Sequence, residues 1–267
     1  MGTVQSTLTN FRYLRPVWKE NTEQERLLGV SLTGVMDHPM LQWTGMDSEF
    51  YLDQLRNCAV AVNKEVAAAL GISRSAAITC VKPEGTVSQL TDTASGLHPR
   101  FAEYYIRRVR ADKTDPLSGF MRVMGVPCED DMMNANAYVF SFPMKAPEGA
   151  RLVRDLSAIG QLEHWLMMQE YWCEHKPSIT VYYSDDEFLA MCQWVWDNFD
   201  KVSGIAFLPR DNGTYQQAPY EEISKEQYEA LMEQFPSMLH WDAFQENEDN
   251  TTGSQTLACV GSSCEVI

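Results

Sequence analysis

Two stretches of this sequence combine residue types and spacings suited to chemistry. The first is Lys82-Pro83-Glu84-Gly85-Thr86-Val87-Ser88, which directly follows an apolar run of strand length, Ala76 to Val81. Gly85 lets backbone approach an anion closely, and the free N–H groups of a helix's first turn, with hydroxyls from Thr86 and Ser88, suit phosphate oxygens. The same residues also make an ordinary turn with a Ser or Thr cap, and the Gly-Lys-Ser/Thr ending of a Walker loop is missing. The second stretch is Cys259-Val260-Gly261-Ser262-Ser263-Cys264, three residues from the end of the sequence. Small residues between two thiols let a disulfide close and leave each sulfur open to another protein's thiolate. Two thiolates make only half of a tetrahedral zinc site and nothing in the tail completes it, so the readings that stay open are thiol exchange and an inert tail. His98, in Ser95-Gly96-Leu97-His98-Pro99, either faces a pocket or is satisfied within its turn.

Elements that would position these residues follow from apolar periodicity. Leu52, Leu55, Ala59, Val62, Val66 and Leu70 recur at helical steps between Asp47/Ser48, which suit an N-cap, and Gly71, which suits a C-cap. Tyr138 to Phe142 reads as a strand, Leu156, Ile159, Leu162 and Leu166 as one helix face, and Ile179 to Tyr183 as another strand. A helix from about Asp185 is expected to bury Phe188, Cys192, Val195, Trp196 and Phe199, with Ile205 to Leu208 following as a strand. Ser224 with Gln227 is a capping-box signature for one more helix. Strands alternating with helices predict an α/β fold with a mainly parallel sheet, open or closed. Gln245 to Thr256 then carries no apolar residue and is expected to be disordered, which sets residues 1–244 apart from a tail at 245–267.

Composition narrows the function classes. A formal net charge of −16 over 267 residues argues against a nucleic-acid surface, which needs clustered Lys and Arg. A single nucleotide is compatible, because helix-start N–H groups hold phosphates without a basic patch. Seven cysteines, an odd and sparse count, fit a reducing cytoplasm better than a disulfide scaffold, and no secretory or membrane-spanning stretch is visible. Cys58, Cys80 and Cys192 lie on or beside apolar elements and read as core, while Cys128 and Cys173 show no pairing logic.

Taken in order, Gly29-Val30-Ser31-Leu32-Thr33-Gly34, the Pro83 to Ser88 loop, Gly96-Leu97-His98-Pro99, Phe207-Leu208-Pro209, Gln217-Ala218-Pro219-Tyr220 and the Cys259/Cys264 pair resemble the C-terminal portion of adenosylcobalamin-dependent, class II ribonucleoside-triphosphate reductases. The resemblance implies the second half of a ten-stranded α/β barrel followed by a flexible redox tail. It implies an oxidoreductase of deoxyribonucleotide synthesis that reduces ribonucleoside triphosphates by a cobalamin-initiated thiyl-radical mechanism and is re-reduced by thioredoxin. Glu84, Gly85, Thr86, Val87 and Ser88 would hold the substrate triphosphate. Cys259 and Cys264 would be the shuttle dithiol. Gly96, Leu97, His98 and Tyr215 would lie in the cobalamin region, with no histidine ligand to cobalt because no Asp-x-His-x-x-Gly motif is present. The family's radical cysteine and active-site dithiol lie upstream of Met1, so the resemblance implies either a complementary N-terminal polypeptide or a truncated frame, and no turnover by the isolated chain. Two other classes of function remain open at this point: a class I-type large-chain fragment with a separate metal radical subunit, and a catalytically empty nucleotide-binding remnant.

Overall fold

The chain's longest helix ends where the sequence says it must. In the computed structural model Gly71 takes φ 66°, a left-handed conformation that costs glycine nothing, and its N–H closes on Ala67 and Ala68 carbonyls. The structure describes residues 1–210 and 216–245, and the backbone alone of two short segments beyond. In chain order the elements are α1 (Gly2–Gln5), α2 (Pro16–Glu25), β1 (Val30–Ser31), α3 (Met46–Leu70), β2 (Thr79–Cys80), α4 (Val87–Leu90), β3 (Tyr104–Asp112), α5 (Pro116–Val123), β4 (Cys128–Asp130), β5 (Ala137–Lys145), α6 (Ala158–Tyr171), β6 (Ser178–Tyr183), α7 (Phe188–Asp197), β7 (Gly204–Pro209), β8 (Tyr220–Glu222), α8 (Lys225–Gln234), β9 (Leu257–Val260) and β10 (Ser263–Val266).

The chain divides into two units, 1–100 with 149–208, and 101–148 with 209–267. The first is built around α6, whose Leu162, Trp165 and Met168 are fully buried among Leu52, Leu97 and Val181. Ser157 caps α6 by accepting from the Gly160 N–H. β1 and β2 pair in parallel, Val30 opposite Thr79, and β6 pairs with β7. A buried polar staple holds the N-terminal residues to α3: Asn63 donates to the Thr3 and Ser75 hydroxyls, at 3.0 and 2.9 Å, and accepts from the Ser75 N–H.

The second unit departs from the expected parallel pattern. Its sheet has the order β4-β5-β3-β8, every neighbouring pair antiparallel, with β3 and β5 in register over nine residues from Tyr104↔Lys145 to Asp112↔Ala137. Val139 and Phe140 on β5 are fully buried, and aromatic contacts Phe142–Phe235 and Tyr104–Tyr228 carry the sheet onto α8 and its end. The Ser224/Gln227 capping box opens α8 as the spacing predicts. β9 and β10 pair antiparallel with Cys264 opposite Cys259.

Two further expectations are corrected. Helix α3 begins at Met46 after Gly45, so Asp47 and Ser48 sit inside its first turn, where Asp47 favours the helix dipole and Ser48 donates to the Met40 carbonyl. On α7 the buried residues are Met191 and Trp194; of the predicted face Val195 packs partly against the core, and Phe188, Cys192, Trp196 and Phe199 are exposed. Periodicity found an apolar stripe but not which of two stripes meets the core. Among the described residues no helix is long and apolar enough to cross a membrane, and no cluster of three or more metal-binding side chains forms.

Candidate functional site

The phosphate-loop candidate hangs from β2, a two-residue strand that local propensity does not explain. Its groups are fixed by the end of α6 instead. The Thr79 hydroxyl donates to the Trp172 carbonyl, the Trp172 indole N–H donates to the Cys80 carbonyl at 2.7 Å, and Glu174 accepts from the Ile78 N–H at 2.9 Å. Thr79 is fully buried, so these bonds replace water and would be costly to lose. Beyond β2 the chain passes Val81, buried, and turns at Lys82, whose N–H donates to the Ser31 hydroxyl.

The loop then divides its polar groups between inside and outside. Glu84 faces inward by its backbone: its N–H donates to the Ser95 hydroxyl at 2.7 Å, and its carbonyl accepts from Ser88 and Ser95 hydroxyls. One Glu84 carboxylate oxygen is buried without a hydrogen-bond partner. Ser88 is fully buried, so its hydroxyl is committed to the loop and turned away from any ligand. Gly85, Thr86 and Val87 are exposed, and a side-chain carbon placed on Gly85 would meet nothing within 4 Å. Helix α4 starts at Val87, and Thr86 makes no side-chain capping bond. The first-turn N–H groups of a helix have no intrahelical acceptor, so exposed Val87 presents a donor beside the Thr86 hydroxyl, while Ser88, fully buried, presents none outward. This is the expected strand, loop and helix start, with one hydroxyl offered where two were expected.

Gly96-Leu97-His98 forms the shelf behind this loop. Gly96 has φ 54°, and a side-chain carbon there would lie 2.5 Å from the Lys82 carbonyl oxygen, so only glycine lets the two segments meet. Leu97 is fully buried in the core. His98 is satisfied on both sides: Nδ1–H donates to the Ser95 carbonyl at 3.1 Å, and Nε2 accepts from the Thr180 N–H at 3.0 Å. That pattern requires the neutral ring, and burial pushes its pKa down accordingly. Of the two readings of His98, the geometry matches the satisfied turn histidine.

Residues that spacing did not single out hold the shelf in place. Arg100, nearly buried, donates to both Asp37 oxygens and to Asp92, while Asp37 also accepts from the Ala94 N–H at 2.7 Å. The Thr33 hydroxyl donates to the Ala94 carbonyl, and Thr93 packs against Gly34. The Gly29 to Gly34, Pro83 to Ser88 and Gly96 to Pro99 stretches are thus brought together within one unit. Ser95, Asp37 and Arg100 carry no local signal, because their partners are up to 63 residues away. Two more thiols lie here, Cys80 buried and Cys173 half-buried. Burial raises the Cys80 pKa and pushes Cys173 up to about 12, which leaves both protonated and unreactive at neutral pH. Tyr215 and the side chains of Cys259 and Cys264 lie outside the described residues.

No protein-family profile matches the chain. Individual proteins do. An adenosylcobalamin-dependent ribonucleoside-triphosphate reductase from Lactobacillus delbrueckii subsp. bulgaricus is 25% identical over 93% of this chain and 38% of its own length. One of that name from Euglena gracilis is 29% identical over 79% of this chain and 30% of its own length. A crystal structure of a B-12 dependent, class II ribonucleotide reductase superposes with a TM-score of 0.74 at 24% identity, covering 83% of this chain and 35% of that one. The chain is therefore similar to part of these reductases, has the α/β fold of the matching part, and spans little more than a third of the length of the curated relatives it matches.

Proposed function

We propose that this chain is the C-terminal portion of an adenosylcobalamin-dependent ribonucleotide reductase and supplies its substrate-phosphate loop and shuttle thiols. The substrate on this reading is a ribonucleoside triphosphate and the product its 2′-deoxy form. The observation that carries the reading is the outward face of the β2-to-α4 loop, with Gly85 exposed and the Val87 N–H beside Thr86, in a chain that matches such reductases in sequence and fold. Residues 1–244 would contribute the second half of a ten-stranded barrel and 245–267 the shuttle segment.

Removing the 2′-hydroxyl as water takes two electrons and two protons, and a dithiol that becomes a disulfide supplies both. The resemblance puts that dithiol in a buried site that thioredoxin cannot reach, so a second thiol pair has to relay electrons. Cys259 and Cys264 are suited to this by register: directly opposed antiparallel residues have Cα atoms about 4.5–5.5 Å apart, within disulfide range.

Adenosylcobalamin would supply the radical that starts the reaction. Gly96, Leu97 and His98 do not fit as direct contacts to it. Gly96 is closed off by the Lys82 carbonyl, Leu97 is core, and both His98 nitrogens are taken by backbone groups. They fit instead as the support on which the phosphate loop rests.

The test is reconstitution. The purified chain, mixed with the polypeptide that carries the radical cysteine, adenosylcobalamin and thioredoxin, is expected to form deoxynucleoside triphosphate, and the chain alone to form none. Turnover by the chain alone, or none in the mixture, would overturn the reading. In the active mixture Cys259→Ser or Cys264→Ser is expected to stop thioredoxin-driven turnover and spare turnover with dithiothreitol. Equal loss with both reductants would remove the shuttle role.

A further inference from the structure

Helix α7 carries two apolar stripes, and the fold uses one. Met191 and Trp194 point into the core, where they are 3% and 9% exposed, and Trp194 donates its indole N–H to Glu163. Leu189, Cys192, Trp196 and Phe199 recur at three- and four-residue steps along α7 and just past its end, so they share a face. That face lies open to water: Leu189 is 79% exposed, Trp196 75% and Phe199 69%. At 150–250 Å² per aromatic side chain, the two aromatic residues and Leu189 together expose roughly 400 Å², about the size of the largest apolar patch on an ordinary monomer and often a functional one.

The charge around the stripe selects its occupant. Asp185 and Asp186 precede it, Asp197 and Asp200 border its far end, and all four are exposed. Lys201, the next base in sequence, is engaged by Glu170 at 2.6 Å. A second copy of this chain would bring carboxylate against carboxylate, within a molecule of formal charge −16. A surface with an apolar centre and a Lys/Arg rim would meet both features.

We infer that this face of α7 is the docking surface for the polypeptide carrying the remainder of the reductase, through an apolar patch on that polypeptide rimmed by basic residues. The inference rests on the proposed function, on which a second polypeptide carrying the radical cysteine completes the enzyme. The aromatic residues form the centre of the contact, where truncation costs most, and the aspartates the rim, which governs the rate of encounter.

Cys192 lies in the stripe and its thiol is exposed, so it reports on coverage directly. Mixing the full chain with the radical-cysteine polypeptide is expected to slow Cys192 alkylation by a maleimide at least tenfold, read by peptide mass spectrometry. Trp196→Lys is expected to weaken the complex about 30-fold or more, by titration calorimetry, with the unfolding midpoint of the free chain unchanged. Asp186→Lys with Asp197→Lys is expected to slow association and flatten its salt dependence. A mixture that is active but leaves Cys192 as reactive as before, or that binds the Trp196→Lys chain equally well, overturns this surface and leaves the proposed function standing. No complex and no activity overturns both. A chain that dimerises alone, and that Trp196→Lys turns to monomer in sedimentation, assigns the face to a second copy and also overturns the inference.

Discussion

Each unit buries an arginine against aspartate, and the two arginines do different work. In the first unit Arg100 joins Asp37, Asp92 and the Asp92 carbonyl, segments with no ladder of their own between them. In the second, Arg110 donates to Asp131 at 2.8 Å and to the Gln217 carbonyl, but it sits on β3, which nine registered residues already hold to β5. A polar network that substitutes for secondary structure differs from one that decorates it. The first sets the conformation of the Thr91 to Arg100 stretch on which the phosphate loop rests, and the second fastens an edge.

The difference is sharpest under mutation. Arg100→Met leaves the half-buried Asp37 carboxylate without its counter-charge, held only by the Ala94 N–H, and is expected to cost about 3 kcal/mol, measured by urea unfolding. Asp131→Asn keeps an acceptor for Arg110 in a sheet whose backbone bonds persist, and is expected to cost about 1–2 kcal/mol. Equal costs would mean that the Arg100 network holds nothing that the backbone does not.

What the sequence disclosed follows the same division. β5 was legible because its apolar run and burial coincide, and α3, α6 and α8 because apolar steps or caps mark them: Gly71 ends α3 and Ser224 opens α8 as read, while the start of α3 is not where Asp47 and Ser48 suggest. β3 was not, since Tyr104 to Asp112 carries three arginines that become partners only once β4 and β8 arrive. β2 is shorter than its apolar run, because Ala76 to Ile78 are fixed by Glu25, Leu28, Val30 and Glu174 rather than by a longer ladder. The phosphate loop was legible in kind, as a turn between strand and helix, but not in the direction of its hydroxyls. That direction depends on Ser95, eleven residues from Glu84.

Acid is expected to separate the units next. His164 in the first is 2% exposed, its Nε2–H donates to the Leu41 carbonyl at 2.7 Å, and burial holds its pKa down to about 4 from 6.5. The folded state binds fewer protons than the unfolded one between these values, so stability is full above about pH 6.5 and is lost as pH falls toward 4. Going from pH 7.5 to 5.5 should cost about 1–1.5 kcal/mol through His164. His98 adds in the same direction. In the second unit the described histidine is His240, exposed. Urea midpoints at the two pH values are expected to differ less in His164→Gln, whose amide can still donate to Leu41. An unchanged difference would show that the ring already carries a proton in the fold.

The smallest effect is expected where the loop turns outward. Thr86 and Ser88 are two residues apart and chemically alike, yet Ser88 is fully buried on the Glu84 carbonyl while Thr86 is exposed without a capping bond. Ser88→Ala removes a buried donor and should lower stability by about 1 kcal/mol. Thr86→Val removes nothing the fold uses, so its unfolding midpoint should stay within error of the parent. Its loss should appear only with nucleotide: one hydroxyl donor to a phosphate oxygen is worth about 1.5 kcal/mol, roughly a tenfold rise in the triphosphate Kd of the reconstituted enzyme. An unfolding midpoint that drops with Thr86→Val, or a triphosphate Kd that does not move, would place the anion elsewhere and make this loop one more internal support.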